Sequence, residues 1–492
     1  MGCWLRAAAA FTCNKLAPMR NWILPLVLVV IAAFAWSQAV RTDSELAEAV
    51  VVEAGQVTEA PLSTPLLSVR RTPEFLREPL LVNNLESSLA ELVTTFPTQS
   101  CLVVTIDGEP VFSSNARLPL VPASAQKVLT AFGVYEILGA DHLFETSIVT
   151  DAPLVDGVLD GDLYIVGGGD PLLATQGYVS RYDQQPHFAT PIEALADAVV
   201  DAGITEIVGG VIGDEDRYDD ERYRPQWPER FTNVSQNQTG PLSALTVNDG
   251  FVRFDPEPIP ALATATTTPA SFAAGFFDDL LEERGVIIRG APGEASAPAR
   301  VREIASVTSD PASVATNQML DISDNMAAEL LLKEIGFVES RIGSSDGGAI
   351  ALENLLADSG FSVAETDVVD GSGLASENRV TCQLLVEVLD ASAGTPLLDG
   401  LSVAGESGTL GERLVGTPAQ GRVAAKTGRL NEVGALTGTA VANDGTVLTF
   451  AWIGNTTDLY PTEEIEAAQD AIALELVSFP QGPNVDAFAP AQ

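Results

Sequence analysis

Val121-Pro122-Ala123-Ser124-Ala125-Gln126-Lys127 is the most informative stretch of this 492-residue chain. It leads into an apolar run, residues 128–138, which Gly139 closes, so a helix is predicted to begin near Ser124 and to end at that glycine. Residues three apart lie on one face of a helix, and the hydroxyl of Ser124 is therefore expected to meet the ammonium of Lys127. Burial lowers the pKa of a lysine, which lets it act as the base that a serine nucleophile needs. The pattern predicts a serine nucleophile with a lysine base; alone, it would also fit a helix start with a surface lysine.

Two further short motifs occur later in the chain. Ser323-Asp324-Asn325 begins a second helical run, and Lys426-Thr427-Gly428 follows a strand-like run at residues 421–425. Each motif also has a purely structural interpretation, the first as a helix cap and the second as an edge strand with a glycine bulge. All three together, in this chain order, form the signature shared by penicillin-binding proteins and class A β-lactamases. We therefore interpret the three motifs as catalytic.

Composition restricts the chemistry further. The chain is 46% hydrophobic and 19% charged, which predicts a globular protein too long for a single core. It has only two histidines, His142 and His187, and four cysteines, so a histidine-rich metal site is excluded, and no metal or cofactor is predicted. A Ser-His-Asp triad would have to use one of those two histidines. The net charge of −41 argues against nucleic-acid binding, because a polyanion would be repelled.

The start of the chain has the pattern of a targeting segment. Basic residues precede an uncharged apolar run at residues 22–40, and no acidic residue occurs before Asp43. Residues 1–40 are therefore predicted to be a signal anchor, with possible membrane anchoring through residues 22–40, or a cleaved signal peptide. Both interpretations place the remainder outside the cytoplasm, either periplasmic or on the outer face of the cytoplasmic membrane. Residues 41–82 are acidic with scattered proline and are predicted to be a linker.

The spacing of the motifs predicts an α+β protein of several domains. The catalytic domain is expected to be discontinuous, at residues 83–145 and 300–480, with an antiparallel sheet flanked by helices. Residues 146–299 are predicted to be a large, mostly β insertion, and residues 481–492 a loose tail. Within the catalytic parts, the residues predict a helix after Asn83-Asn84, a hairpin at 101–112, a strand pair at 433–442 and 446–454, and a helix at 462–478.

The chain resembles the class C low-molecular-mass penicillin-binding proteins, the D-alanyl-D-alanine carboxypeptidase/endopeptidase family of serine DD-peptidases, from about Leu85 to about Phe479. The large insertion between the first two motifs is part of this resemblance, and class A β-lactamases lack it. The resemblance implies the transpeptidase fold common to penicillin-binding proteins and serine β-lactamases. Beyond the three motifs, it rests on the stretches Pro122-Ala123-Ser124, Tyr164-Ile165-Val166-Gly167-Gly168-Gly169-Asp170-Pro171, Pro241-Leu242-Ser243-Ala244-Leu245, Asp370-Gly371-Ser372-Gly373-Leu374 and Gly416-Thr417-Pro418.

The resemblance also implies a mechanism of acyl transfer. Ser124 would attack the carbonyl between two D-alanines of a peptidoglycan stem peptide or cross-link, and Lys127 would accept its proton. Ser323, held by Lys127 and Lys426, would pass that proton to the leaving amine, and Asn325 would bind the substrate backbone. β-Lactams would acylate the same serine and leave slowly. Two alternatives stay open: a β-lactamase, and a wall-bound scaffold or β-lactam sensor that acylates once and does not turn over.

The residues after Lys426 are expected to bind the substrate. The backbone N–H of Arg429, with that of Ser124, would form the oxyanion hole, beside Thr427 and Gly428. Relatives usually have threonine or serine where this chain has Arg429. A guanidinium can bind a carboxylate through two parallel hydrogen bonds, so Arg429 is predicted to recognise the free carboxylate of the substrate. The alternative is that Arg429 pairs with nearby Glu432.

Cys101 and Cys382 are the only cysteines after the apolar segment. In an oxidising compartment they are predicted to form a disulfide that joins the two halves of the catalytic domain across the insertion. Closing so long a loop would stabilise the fold by about 4–5 kcal/mol on the chain-entropy model. The alternative is two buried free thiols.

Overall fold

The computed structural model describes residues 74–182, 186–232, 238–253 and 264–481. The predicted signal segment at residues 1–40 lies outside the described residues. So do the predicted linker up to residue 73 and the predicted tail from residue 482 onward. Among the helices of the described residues, none is both long and apolar enough to span a membrane.

The described helices differ widely in length, from single turns to five turns. They are α1 (Glu74–Val93), α2 (Gln126–Gly133), α3 (Gln176–Val179), α4 (Ile192–Asp201), α5 (Pro269–Glu283), α6 (Ala312–Ile322), α7 (Asn325–Ser340), α8 (Ser345–Asp358), α9 (Cys382–Ala391), α10 (Pro396–Asp399) and α11 (Thr462–Ser478).

The described strands are long in the first and last parts of the chain and mostly short between them. They are β1 (Gln99–Ile106), β2 (Glu109–Ser114), β3 (Glu145–Thr150), β4 (Leu154–Val155), β5 (Val158–Leu159), β6 (Leu163–Val166), β7 (Leu173–Ala174), β8 (Thr190–Pro191), β9 (Glu206–Ile207), β10 (Val211–Asp214), β11 (Phe251–Arg253), β12 (Thr264–Ala265), β13 (Ile287–Ile288), β14 (Gly293–Glu294), β15 (Arg302–Thr308), β16 (Ser402–Val403), β17 (Val423–Leu430), β18 (Val433–Val441) and β19 (Val447–Asn455).

A six-stranded antiparallel sheet unites the two ends of the sequence. Its order is β16-β17-β18-β19-β1-β2, so the hairpin before the catalytic helix pairs directly with β19, the last strand that the structure describes. Successive residues of a strand face opposite sides of the sheet. Accordingly, Cys101 and Val103 join the core around α2, while Leu102 and Val104 join the core under α1 and α11. Both faces are covered, which explains why β1 is an unbroken apolar run rather than an alternating one.

The structure contains the expected bridge between Cys101 and Cys382, whose Cα atoms are 6.0 Å apart. Cys101 lies on β1, and Cys382 is the first residue of α9, which the Thr381 side chain caps by accepting a hydrogen bond from the N–H of Leu384. The cysteines are 281 positions apart in sequence. The bridge therefore joins the two parts of the catalytic fold.

The insertion has a core of its own between residues 148 and 307. Its main sheet has the order β14-β10-β6-β3-β15, and α4 and α5 pack on it. Strand β15 pairs antiparallel with β3 in this sheet, whereas the sequence predicts that its residues 302–308 lie in the catalytic part. The domain division itself stays a prediction.

The buried carboxylate of Glu334 connects the insertion to the catalytic part through hydrogen bonds. Glu334, on α7, accepts hydrogen bonds from Nε and Nη2 of Arg217, at 2.9 and 2.6 Å, and from the hydroxyl of Tyr218 at 3.0 Å. Burial acts to raise the pKa of Glu334, but the hydrogen bonds from Arg217 hold it below its usual value. Because α7 starts at Asn325, this contact links the insertion to the helix that carries the second motif.

Helix α1 begins earlier than the sequence indicated. The prediction placed its start after Asn83-Asn84, whereas the structure starts it at Glu74, inside the predicted linker. Leu81 and Val82 pack against the core under α11, so tertiary contacts extend the helix past its asparagines. The predicted end of the catalytic helical segment is confirmed: α2 continues into a π-helical turn at Val134–Leu138, and Gly139 follows with a φ of 87°.

Candidate active site

The nucleophile and its base come from one short segment. Ser124 lies in a 3-10 turn, Ala123–Ala125, that leads directly into α2. Nζ of Lys127 lies 3.1 Å from Oγ of Ser124, as the spacing of three residues predicts. Lys127 is fully buried, whereas Ser124 is half-buried and lines a cleft. The serine can therefore meet a substrate while its base stays out of water.

Lys127 has two further partners that can only accept hydrogen bonds. Its Nζ lies 2.7 Å from Oδ1 of Asn325 and 2.7 Å from the carbonyl oxygen of Ser372. Burial lowers the pKa of Lys127 to about 8, and the nearby carboxylates, Asp370 first among them, act in the opposite direction. A neutral amine has two N–H groups and one lone pair. The two acceptors take both N–H groups, and the lone pair is left facing the hydroxyl of Ser124.

The second motif supplies Asn325 but does not hold Ser323 as expected. Ser323 follows α6 in the left-handed conformation, with a φ of 64°, and its side chain faces the cleft. Within the described residues, no hydrogen bond joins it to Lys127 or Lys426, the contacts that the resemblance implies, and Oδ1 of Asn325 lies beside Nζ of Lys127. The amide of Asn325 also donates to the carbonyl of Gln238 at 2.8 Å. One of its N–H groups remains for a substrate.

The third motif lies on β17, along one side of the catalytic turn. Lys426 is fully buried and donates to the carbonyl of Thr427 at 3.0 Å. Burial and then the charge of Lys127 lower the pKa of Lys426 well below its usual value. A Cβ at Gly428 would lie 2.8 Å from the carbonyl oxygen of Pro122. Only glycine therefore lets the strand approach the nucleophile so closely.

The side chains that follow the buried lysine face the cleft. The hydroxyl of Thr427 donates to that of Thr409 at 2.8 Å. Arg429 is exposed at the cleft mouth, where its nearest polar partner is the hydroxyl of Thr462 at 3.5 Å. In the described part of the chain, no ion pair links Arg429 to Glu432, the alternative partner that the sequence suggested.

The cleft has a volume of about 620 Å³, and the insertion forms one of its walls. Arg181, Tyr182, Asp249 and Phe251 come from the insertion and line the cleft with Ser124. Asp249 accepts a hydrogen bond from Tyr178 at 2.7 Å, and desolvation, with the nearby charge of Asp324, raises its pKa to about 7. Sequence reasoning missed these residues because none belongs to a recognisable motif.

One cluster of carboxylates has the spacing of a cation site. Asp278, Asp279 and Glu282 lie together on α5, where the last two are exposed. None of the three lines the catalytic cleft.

Known proteins are similar to this chain in sequence and in fold. The profile of the D-Ala-D-Ala carboxypeptidase 3 (S13) family matches residues 82–263 and 257–476. The D-alanyl-D-alanine carboxypeptidase of Actinomadura sp. (strain R39) is 29% identical, over 77% of this chain and 80% of its own. The carboxypeptidase DacB of Mycolicibacterium smegmatis is 31% identical, over 88% of this chain and 91% of its own. The fold is similar to that of penicillin binding protein 4 (dacB) from Haemophilus influenzae, with a TM-score of 0.66 and 20% identity, covering 78% of this chain and 99% of that one.

Proposed function

The chain belongs to the D-Ala-D-Ala carboxypeptidase 3 (S13) family, and from that premise we propose that Ser124 cleaves the bond between two D-alanines in peptidoglycan stem peptides and cross-links. The chain is a serine-type D-Ala-D-Ala carboxypeptidase. The contact between Nζ of the buried Lys127 and Oγ of Ser124 supports the roles of Ser124 as nucleophile and Lys127 as base.

Acylation begins when neutral Lys127 accepts the proton of Ser124. The Ser124 oxygen attacks the substrate carbonyl, and the backbone N–H groups of Ser124 and Arg429 receive the developing oxyanion. The C–N bond then breaks, and the leaving amine takes a proton that originates from Lys127. Ser323 faces the cleft and passes that proton after its side chain turns toward the lysine. Water hydrolyses the acyl-enzyme by the reverse proton path.

β-Lactams would follow the same route as far as the acyl-enzyme. Their amide carbonyl occupies the place of the D-alanyl carbonyl, and the ring opens without releasing the leaving amine. The covalent adduct on Ser124 therefore blocks the cleft and turns over slowly. A β-lactamase would instead hydrolyse penicillin rapidly in the steady state, and a scaffold or sensor would release no D-alanine.

We place the catalytic part outside the cytoplasm, anchored through residues 22–40 or released after cleavage of a signal peptide. The bridge between Cys101 and Cys382 supports an oxidising compartment. Peptidoglycan, the proposed substrate, lies in the same compartment. Treatment of intact cells with a membrane-impermeant protease or biotin reagent would test this location directly.

Purified muropeptides test the function. Monomeric pentapeptides should lose one D-alanine and cross-linked dimers should yield monomers, both followed by mass spectrometry. Fast penicillin hydrolysis with untouched muropeptides would favour the β-lactamase alternative. A stable penicillin adduct with no peptide cleavage at all would favour the scaffold.

Arg429 is proposed to recognise the terminal carboxylate of the substrate. Its guanidinium is exposed at the cleft mouth, and its only described polar partner is a weak one at 3.5 Å. We expect Arg429→Ala to lower kcat/KM for a peptide ending in free D-alanine by roughly tenfold, the scale of one charge-assisted contact. The measurement is kcat/KM for this peptide and for its C-terminally amidated analogue, with Glu432→Ala as the matched surface control. An equal fall for both peptides would refute carboxylate recognition.

A further inference from the structure

Three consecutive residues of a loop at 370–375 contact the turn and helix that carry Ser124 and Lys127. The carbonyl of Ser372 accepts from Lys127, and the carbonyl of Gly371 accepts from the hydroxyl of Thr130 at 2.7 Å. Gly373 has a φ of +86°, and a Cβ there would lie 1.9 Å from the carbonyl oxygen of Ala123, the residue before the nucleophile. The conformation of this loop therefore fixes the position of the Ser372 carbonyl, one of the two acceptors of Lys127.

The carboxylate of Asp370 holds the loop in that conformation. It is fully buried and accepts four hydrogen bonds, which fill its acceptor sites. The donors are the N–H of Gly373 at 2.8 Å, the N–H of Ala375 at 2.7 Å, Nδ2 of Asn378 at 2.8 Å and Nε1 of Trp227 at 2.7 Å. Three of the four come from the loop and the residues just after it.

The fourth donor, Trp227, comes from the insertion. Its ring is buried in a small core that contains Leu242 of the insertion, Met326 and Leu330 of α7, and Leu374 of the loop. Among the described residues of the insertion, only the Trp227 indole donates a hydrogen bond to Asp370. A continuous path of contacts thus runs from the insertion through Asp370 and the loop to Lys127.

We propose that Asp370 is a positioning residue for the general base, together with Glu329, which accepts from the N–H of Ser372 at 2.7 Å, and that Trp227 makes the position of the base depend on the insertion. This proposal rests on the proposed function and deepens it. It gives the insertion a role in the acylation step itself, in addition to lining the cleft. Neither Asp370 nor Trp227 touches the reacting atoms; both act through the carbonyl of Ser372.

The charged groups that face Lys127 give the proposal a distinctive pH readout. They are Asp370 on the loop, Asp324 at the N-cap of α7, Glu329 within α7, and Lys426 on β17. Asp370→Asn removes a negative charge that favours the ammonium form of Lys127. The pKa of the base should fall, and the acid limb of the acylation profile should move to lower pH. Trp227→Phe leaves every one of these charges in place and should not move that limb.

The experiment measures the limiting acylation rate of the whole protein by a fluorescent penicillin, at saturating concentrations and across pH. Trp227→Phe removes the indole N–H and should lower the limiting rate by roughly tenfold, because misplacing a catalytic group is costly even at small displacements. Its dissociation constant for penicillin should not change. Trp452→Phe is the matched control, since Trp452 is also buried and its indole N–H has no partner among the described residues. That control should lose stability but keep the wild-type rate.

The outcomes separate this proposal from the function it rests on. Equal limiting rates for Trp227→Phe and wild type would overturn it, and so would a folded Asp370→Asn variant whose acid limb stays in place. If Asp370→Asn does not fold, the limiting acylation rates of Trp227→Phe and Trp452→Phe still test the proposal. Failure of the wild-type protein to acylate would instead overturn the proposed function.

Discussion

Ser124→Ala should abolish covalent labelling by penicillin and the release of D-alanine from peptides. Oγ of Ser124 is the only atom through which the proposed acyl-enzyme forms, and its loss should lower turnover by roughly 10⁶-fold, the scale seen when a serine nucleophile is removed. The measurement is gel fluorescence with a labelled penicillin, together with mass spectrometry of the intact protein. The fold should survive, because alanine suits the start of a helix and, among the described residues, the Ser124 hydroxyl contacts only Nζ of Lys127.

Ser376→Ala is the control for this experiment. Ser376 is exposed, and in the part of the chain that the structure describes its hydroxyl bonds only to Glu377, so the variant should label like wild type. A Ser124→Ala protein that still carries one penicillin would show that another residue is the nucleophile. An unlabelled but unfolded variant would be recognised by its circular dichroism.

Lys127→Met should lower the acylation rate by about 10²–10⁴-fold, the usual contribution of a general base. The base acts only when neutral, and burial places the pKa of Lys127 at about 8. Below that pH the neutral fraction falls, so wild-type acylation should rise about tenfold per pH unit on the acid side and level off above pH 8. The measurement is the acylation rate constant from pH 5.5 to 9.5.

Lys127→Arg distinguishes a base from a mere positive charge. Arginine keeps the charge and can donate to Asn325 and to the carbonyl of Ser372, but it does not lose its proton in this range. It should therefore be as inactive as Lys127→Met, at every pH. An arginine variant with substantial activity, or a wild-type profile that is flat from pH 6 to 9, would contradict the assignment of Lys127 as the base.

The sequence predicted those parts of the site in which residues close together in the chain set the distances between side chains. Ser124 and Lys127 meet because three residues of helix separate them, and no other part of the chain is needed to fix that spacing. The strand pair β18 and β19 and the helix α11 were also predicted to within one residue at each end. The signal for the strand pair was the turn at Asn443-Asp444-Gly445, which acts on the adjacent backbone.

The parts that escaped prediction depend on contacts between distant segments. Asp249 reaches the cleft only because the insertion folds back over the nucleophile, and the Trp227–Asp370 bond spans 143 residues. The position of Ser323 was expected from the resemblance, yet Asn325 takes the place beside Lys127. Helix α1 starts early because Leu81 and Val82 find a core that the local sequence does not reveal.

The bond between Cys101 and Cys382 has a topological consequence. It closes a covalent ring that contains the whole insertion, the nucleophile Ser124 and its partner Asn325, while Lys426 lies beyond the ring. One peptide-bond cut anywhere between the two cysteines opens the ring but does not divide the molecule. A protein nicked in the insertion would therefore migrate as a single species without reductant and as two fragments with it. All the catalytic residues would remain in one covalent molecule.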